Sequence, residues 1–140
     1  MRVFIDSNVP MYVAGKDHPN RDPARRFLDR VQRGEIEGCC STEVLREILG
    51  RYSTIRRHDY ASKVYEIFVR ICPVIFSVTL ADTDRARELL SLSSRVSARD
   101  ALHAAVMLNQ GVEWIASFDR HFDRIPGIRR VELEAGGAAG

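Results

Sequence analysis

Short apolar runs alternate with amphipathic stretches along this chain, and the alternation predicts an architecture before any single residue is weighed. Val3, Phe4 and Ile5 follow one another within residues 1–5, the uninterrupted pattern of a parallel strand covered on both faces. Further strands are predicted at residues 38–41, 74–78, 114–116 and 128–133, with Pro73 at the leading edge of the third, where its missing N–H is tolerated. Helical spacing fills the gaps. One helix begins near Pro10, and a second starts with Asp22 as cap, Pro23 as first helical residue and Phe27, Leu28 and Val31 as stripe, ending at Gly34. Ser41 or Thr42 caps a third, with Val44, Leu45, Ile48 and Leu49 on its apolar face. Residues 59–70 and 82–92 supply two more, and residues 97–110 a helix apolar enough to require burial. Strands alternating with helices imply right-handed crossovers, hence an α/β fold: a three-layer α/β/α sandwich around a central, mostly parallel sheet. The pattern leaves the strand order open. One domain is expected over residues 1–134, followed by a flexible Gly/Ala-rich tail at 135–140.

The polar residues interrupting this pattern carry the chemistry. Asp6 stands at the carboxyl end of the first strand, the edge of an α/β sheet beyond which ligands bind. The competing role for Asp6, Ser7 or Asn8 is to cap the helix that follows. Asp119 follows the fourth strand in the same way, while Glu47 and Asp100 fall in the amino-terminal halves of two helices. Asp100 lies three residues after Ser97 and so suits a capping box, yet it leads the most apolar helix, where an acid enters a partly desolvated place. Glu43 and Glu47 compete for one position. On a helical wheel Glu47 lies roughly 130° from the centre of the apolar stripe and Glu43 roughly 170°, so Glu47 flanks the core and Glu43 complements the helix dipole.

Converging carboxylates repel, so a site made of several needs compensating positive charge, and hard oxygen donors select Mg²⁺ or Mn²⁺. Such a centre suits phosphodiester hydrolysis by activated water. Internal arginine pairs that neutralised the acids and left no room for solvent would defeat this reading. Composition narrows the rest. The chain of 140 residues is long enough for one core, and no apolar run approaches the roughly 20 residues that span a bilayer. Asp6 interrupts the amino-terminal apolar stretch too early for a secretory signal, so a cytoplasmic protein is expected, with no membrane partner. Three cysteines, Cys39, Cys40 and Cys72, lack paired zinc spacings and read as buried thiols. A net charge of +2 neither demands nor forbids a polyanion. Only Lys16 and Lys63 among the 21 basic residues are lysines, so arginine, with its planar fork for phosphates, dominates.

With these residues placed, the chain resembles the PIN domain family, most closely the VapC-type ribonuclease toxins of prokaryotic toxin-antitoxin pairs. The resemblance rests on FIDSNV at 4–9, STEVLREIL at 41–49, SARDALHAA at 97–105 and SFDRHFDRIPG at 117–127, four motifs in order across nearly the whole chain. It implies a magnesium-dependent endoribonuclease whose acidic quartet falls on Asp6, Glu47, Asp100 and Asp119, with Asp6, Asp100 and Asp119 holding metal. Asn8 and Ser117 would be polar helpers, and Asp123 occupies a variable extra position or is a solvated acid in a turn. Also implied are an RNA substrate, a VapB-like antitoxin and a homodimer. Serine at 7 and 117, where threonine is frequent in the family, preserves the hydroxyls. Arg99, Arg120 and Arg124 adjoin the acids and suit either phosphates or surface ion pairs. His103 reads as a hydrogen bonder at the core edge and His121 as a surface residue. Tyr52, Ile55, Tyr60, Tyr65 and Phe68 suit core or an apolar groove. Two other classes remain: a noncatalytic PIN-fold module binding RNA or protein, against which the intact quartet argues, and a receiver-type phosphoacceptor, which usually needs a lysine after its last core strand, absent here.

Overall fold

A computed structural model of the chain describes residues 1–133, so the tail expected at 135–140 lies outside the described residues. Strands β1 (Arg2–Ile5), β2 (Glu37–Ser41), β3 (Val74–Phe76), β4 (Trp114–Ala116) and β5 (Arg129–Arg130) form one sheet in the order β3-β2-β1-β4-β5. Every neighbouring pair is parallel. The helices are α1 (Asn8–Ala14), α2 (Arg21–Gln32), α3 (Thr42–Thr54), α4 (His58–Ile71), α5 (Leu80–Leu92) and α6 (Ala98–Asn109), with a short 3-10 helix at Arg120–Arg124. Strand β1 is central, and Val3, Phe4 and Ile5 are fully buried, as the unbroken apolar run predicted.

Right-handed crossovers put α1 to α4 on one face of this sheet and α5 and α6 on the other, giving the three-layer sandwich. Gly38 in β2 allows close packing: a Cβ there would meet the Val31 side chain at 2.8 Å and the Ile5 side chain at 2.9 Å, so one of these contacts between α2 and the sheet would have to shift. The α6 helix is almost wholly inside, with Ala101, Ala104, Ala105, Val106 and Met107 fully buried.

Several elements are shorter than their pattern predicted, for a common reason. β3 stops at Phe76 because its neighbour β2 ends at the pair Ser41↔Phe76, where Ser41 turns to cap α3. β5 keeps only two residues because β4 offers it only Trp114 and Ile115 as partners. Asn20, not Asp22, precedes α2, so Pro23 occupies the third helical position, still inside the turn whose N–H groups lack helical partners. Chain direction reverses its progress across the sheet at β1 and β4: β1 leads away to β2, and β4 to β5. The crevice beyond their carboxyl ends is therefore the topological switch point, where open α/β sheets bind ligands.

Candidate metal centre

Asp6 leaves β1 directly into that crevice. Its N–H donates to the Ala116 carbonyl at 3.0 Å, tying the residue to β4. Its carboxylate is fully buried and fully engaged: Oδ1 accepts the Ser7 N–H at 2.7 Å and the Arg99 guanidinium, and Oδ2 accepts the Ser117 hydroxyl at 2.7 Å. Ser117 uses its whole capacity, since a hydroxyl has one proton and two lone pairs. It donates to Asp6 and accepts from the Asn8 amide at 3.3 Å and from the Asp119 N–H at 3.0 Å. Asn8 and Ser117 thus act on Asp6 and Asp119 through one oxygen. Capping does not explain this corner, because the residue before α1, Ser7, makes no side-chain cap.

Glu47 projects from the second turn of α3, whose start is set by the Ser41 hydroxyl accepting the Glu43 and Val44 N–H groups. His103 on α6 meets it, Nε2 to Oε1 at 2.9 Å, with the imidazole fully buried and tilted against the Phe4 ring at 5.6 Å between centroids. Burial works to raise the Glu47 carboxyl, but the His103 bond and the charge of Arg99 outweigh it and hold Glu47 below the usual carboxylate range. An ionised Glu47 accepts, so His103 carries its proton on Nε2, and Nδ1 faces the interior without a partner. The core-edge role predicted for His103 is the one it has.

Asp100 and Asp119 form the other part of the cluster. The Asp100 N–H donates to the Ser97 hydroxyl at 3.1 Å, which completes the amino-terminal cap of α6 and frees the Asp100 side chain for the crevice. Burial first, and the neighbouring Asp119 charge second, push the Asp100 carboxyl above its ordinary range against the pull of Arg99. Asp119 opens the 3-10 helix by accepting the His121 N–H at 2.9 Å, and His121 Nδ1 lies 3.1 Å from its carboxylate.

Arg99 lies between the two parts. Its Nε is 2.6 Å from Glu47 Oε2, one terminal nitrogen is 2.7 Å from Asp100 Oδ1, and the other reaches both Asp6 Oδ1 and, at 3.3 Å, the Ser7 hydroxyl. Sequence reasoning treated Arg99 as one of three equivalent arginines; only its span to Asp6, 93 positions away, distinguishes it, and no local pattern carries that signal. It is the internal arginine pair that would count against a metal, yet it does not close the site. The guanidinium reaches three of the four carboxylates, and the Arg99 side chain keeps 37% of its surface exposed.

The donor set fits a hard divalent cation. Potential ligand atoms of Asp6, Glu47 and His103 lie within 4.8 Å of one another, as do those of Asp100, Asp119 and His121. Carboxylate oxygens predominate in both triads, the chemistry that favours Mg²⁺ or Mn²⁺ over softer ions. The other candidates fall elsewhere. Both Asp123 oxygens pair with Arg130, at 2.9 and 3.0 Å, which lowers the Asp123 carboxyl and ties the 3-10 helix to β5 outside both triads. Glu43 pairs with Arg46. Cys39, Cys40 and Cys72 are buried free thiols, and burial raises Cys39 to about 12. Of the aromatic group, Tyr52 and Phe68 are buried and Ile55 is exposed.

The family description "PIN domain" matches residues 3–128. VapC ribonuclease Mb1869c of Mycobacterium bovis is 36% identical over 129 residues, covering 92% of this chain and 98% of that protein. Ribonuclease VapC23 of Mycobacterium tuberculosis is 36% identical over 117 residues, covering 84% and 92%. Among solved structures, the fold is shared with VapBC2 from Rickettsia felis bound to a promoter DNA fragment, at TM-score 0.75 and 18% identity over 94% of this chain and 98% of that one. It is shared also with VapC20 of Mycobacterium tuberculosis, described as a toxin cleaving the sarcin-ricin loop, at TM-score 0.71 and 20% identity over 87% and 93%. Among the described residues no helix is long and apolar enough to cross a membrane.

Proposed function

The chain belongs to the PIN domain family, and from that premise we propose that it is a magnesium-dependent endoribonuclease, the toxin of a VapBC-type pair. The observation that supports this most directly is the convergence of Asp6, Glu47, Asp100 and Asp119, drawn from four separate segments, at the switch point of the sheet in two adjoining triads. In this reading Asp6, Asp100 and Asp119 hold Mg²⁺, with Mn²⁺ as a substitute, and Glu47 orients the attacking water. When bound, a divalent ion held by these residues would supply a lowered water pKa and positive charge opposite the scissile phosphate.

The remaining residues prepare this arrangement. Ser117 and Asn8 fix the Asp6 rotamer and the start of the Asp119 segment through the shared hydroxyl. His103 keeps Glu47 ionised and aimed into the crevice. Asp123 acts at a distance, through Arg130, whose other terminal nitrogen donates to the Ser117 carbonyl at 3.2 Å. The substrate is RNA, and the partners are a VapB-like antitoxin and a second copy of the chain, in a cytoplasmic setting. Kinship with VapC ribonucleases supports the RNA substrate and the antitoxin.

Purified protein incubated with structured RNAs in Mg²⁺ or Mn²⁺, beside Asp6→Asn and Asp100→Asn, tests the activity. Cleavage by the wild type alone is expected; cleavage that survives both substitutions rejects the mechanism. Growth arrest on expression, relieved by the product of an adjacent small gene, is the corresponding test of the toxin role.

A further inference from the structure

One guanidinium takes up oxygens from three of the four carboxylates of the proposed metal centre, and these bonds occupy all three of its nitrogens. We propose that Arg99 is a resident counter-cation that a divalent metal must displace, so that this side chain sets the metal affinity of the site and is delivered to the rim of the crevice when metal enters. The inference rests on the metal-dependent reading above and extends it to a residue which that reading leaves without a role.

Three observations carry it. Asp6 Oδ1, Glu47 Oε2 and Asp100 Oδ1 belong to two different triads, and Arg99 is the group that joins them, so an ion drawing on either triad competes with it for oxygen. Asp6 is fully buried, and burying a carboxylate without a cation is costly, so the fold needs positive charge there whether or not metal is bound. Finally, the side chain is more than a third exposed and begins at the second residue of α6, so it can swing outward without unpacking the core. At the rim its planar fork suits a phosphate oxygen pair, which links metal entry to a place for substrate.

The experiment measures binding and not cleavage. Mn²⁺ is titrated calorimetrically into protein stripped with EDTA, for the wild type, Arg99→Gln and Arg99→Lys. Arg99→Gln should bind Mn²⁺ on the order of tenfold more tightly, because a unit charge a few ångströms from the ion has been removed, and should melt at a lower temperature before metal is added. Arg99→Lys, which keeps the charge but not the fork, should fall between. A residue that only held the fold together would weaken Mn²⁺ binding when lost, so unchanged or weaker affinity overturns the proposal. If Arg99→Gln does not fold, the Arg99 Nε–H signal in nitrogen-15 NMR of the wild type decides. Its bond to Glu47 should break during Mg²⁺ titration, and a signal that stays fixed while backbone signals of the crevice saturate overturns the proposal. Failure of the wild type to bind either ion sinks the metal reading itself, whereas wild-type binding with no gain in Arg99→Gln sinks only the displacement.

Discussion

The two triads are built from the same residue types and behave oppositely. Asp6, Glu47 and His103 form a compensated set: Asp6 is fully buried and accepts three hydrogen bonds, and Glu47 is held ionised by an imidazole and a guanidinium. Asp100, Asp119 and His121 form an under-compensated set, in which burial and the Asp119 charge raise the Asp100 carboxyl and His121 is exposed. The first has satisfied its charge within the protein. In the second the Asp100 carboxyl stays above its ordinary range despite Arg99, a setting that favours gaining a cation from solution.

Removing one acid from each set should separate the two most widely. Asp6→Ala removes one of the three carboxylates on Arg99 and the acceptor of the Ser117 hydroxyl, and is expected to cost about 3 kcal/mol of unfolding free energy in EDTA, as when a buried ion pair loses one member. Asp119→Ala should cost only about 1 kcal/mol, for a lost helix-start bond and a partly exposed carboxylate. Both should abolish RNA cleavage. Equal destabilisation in urea titrations would erase the distinction between the sets.

A smaller effect, but one of opposite sign, comes from neutralising the other member of each. Glu47 has a lowered proton affinity in the fold, so its ionised form contributes stability that is present above the ordinary glutamate range and lost as pH falls through its lowered value. Glu47→Gln should therefore melt a few degrees lower at neutral pH, the deficit closing in acid. Asp100 is raised, so ionising it costs stability that is fully felt above its raised value and vanishes as pH falls to the ordinary aspartate range. Asp100→Asn should melt a few degrees higher than wild type at neutral pH without metal, with the gain fading in acid. Parallel shifts in melting scans from pH 3 to 8 would contradict the assignment.

The smallest effect belongs to Asp123→Asn. Asp123 is half exposed and Asn keeps an oxygen for Arg130, so a change in stability of no more than about 1 kcal/mol is expected, and cleavage should stay within about twofold. A large loss of cleavage would bring Asp123 into the site and enlarge the second set.

What could be foreseen of this site depended on whether the determining contacts were local. Asp6 was readable because an apolar run ending in an acid marks a buried strand end, and Glu47 prevailed over Glu43 because helical periodicity ranks their faces. The Trp114–Ala116 strand was predicted to the residue. The short 3-10 helix was not, since it is organised by Asp119 accepting one N–H and by the Asp123–Arg130 pair seven positions apart. The length of β5 was misjudged because it depends on how much of β4 remains to pair with, and the bridging role of Arg99 because adjacency to Asp100 conceals which way a long side chain turns.

Strand β1 lies in the middle of the sheet, and β4, which completes the crevice edge beside it, comes fourth of the five strands in chain order. A growing polypeptide therefore carries no assembled cluster until the segment around residue 119 has cleared the ribosome, and shortened products lack it altogether. If the chain attacks RNA, its nascent form is harmless to the RNA around it until that segment has joined β1.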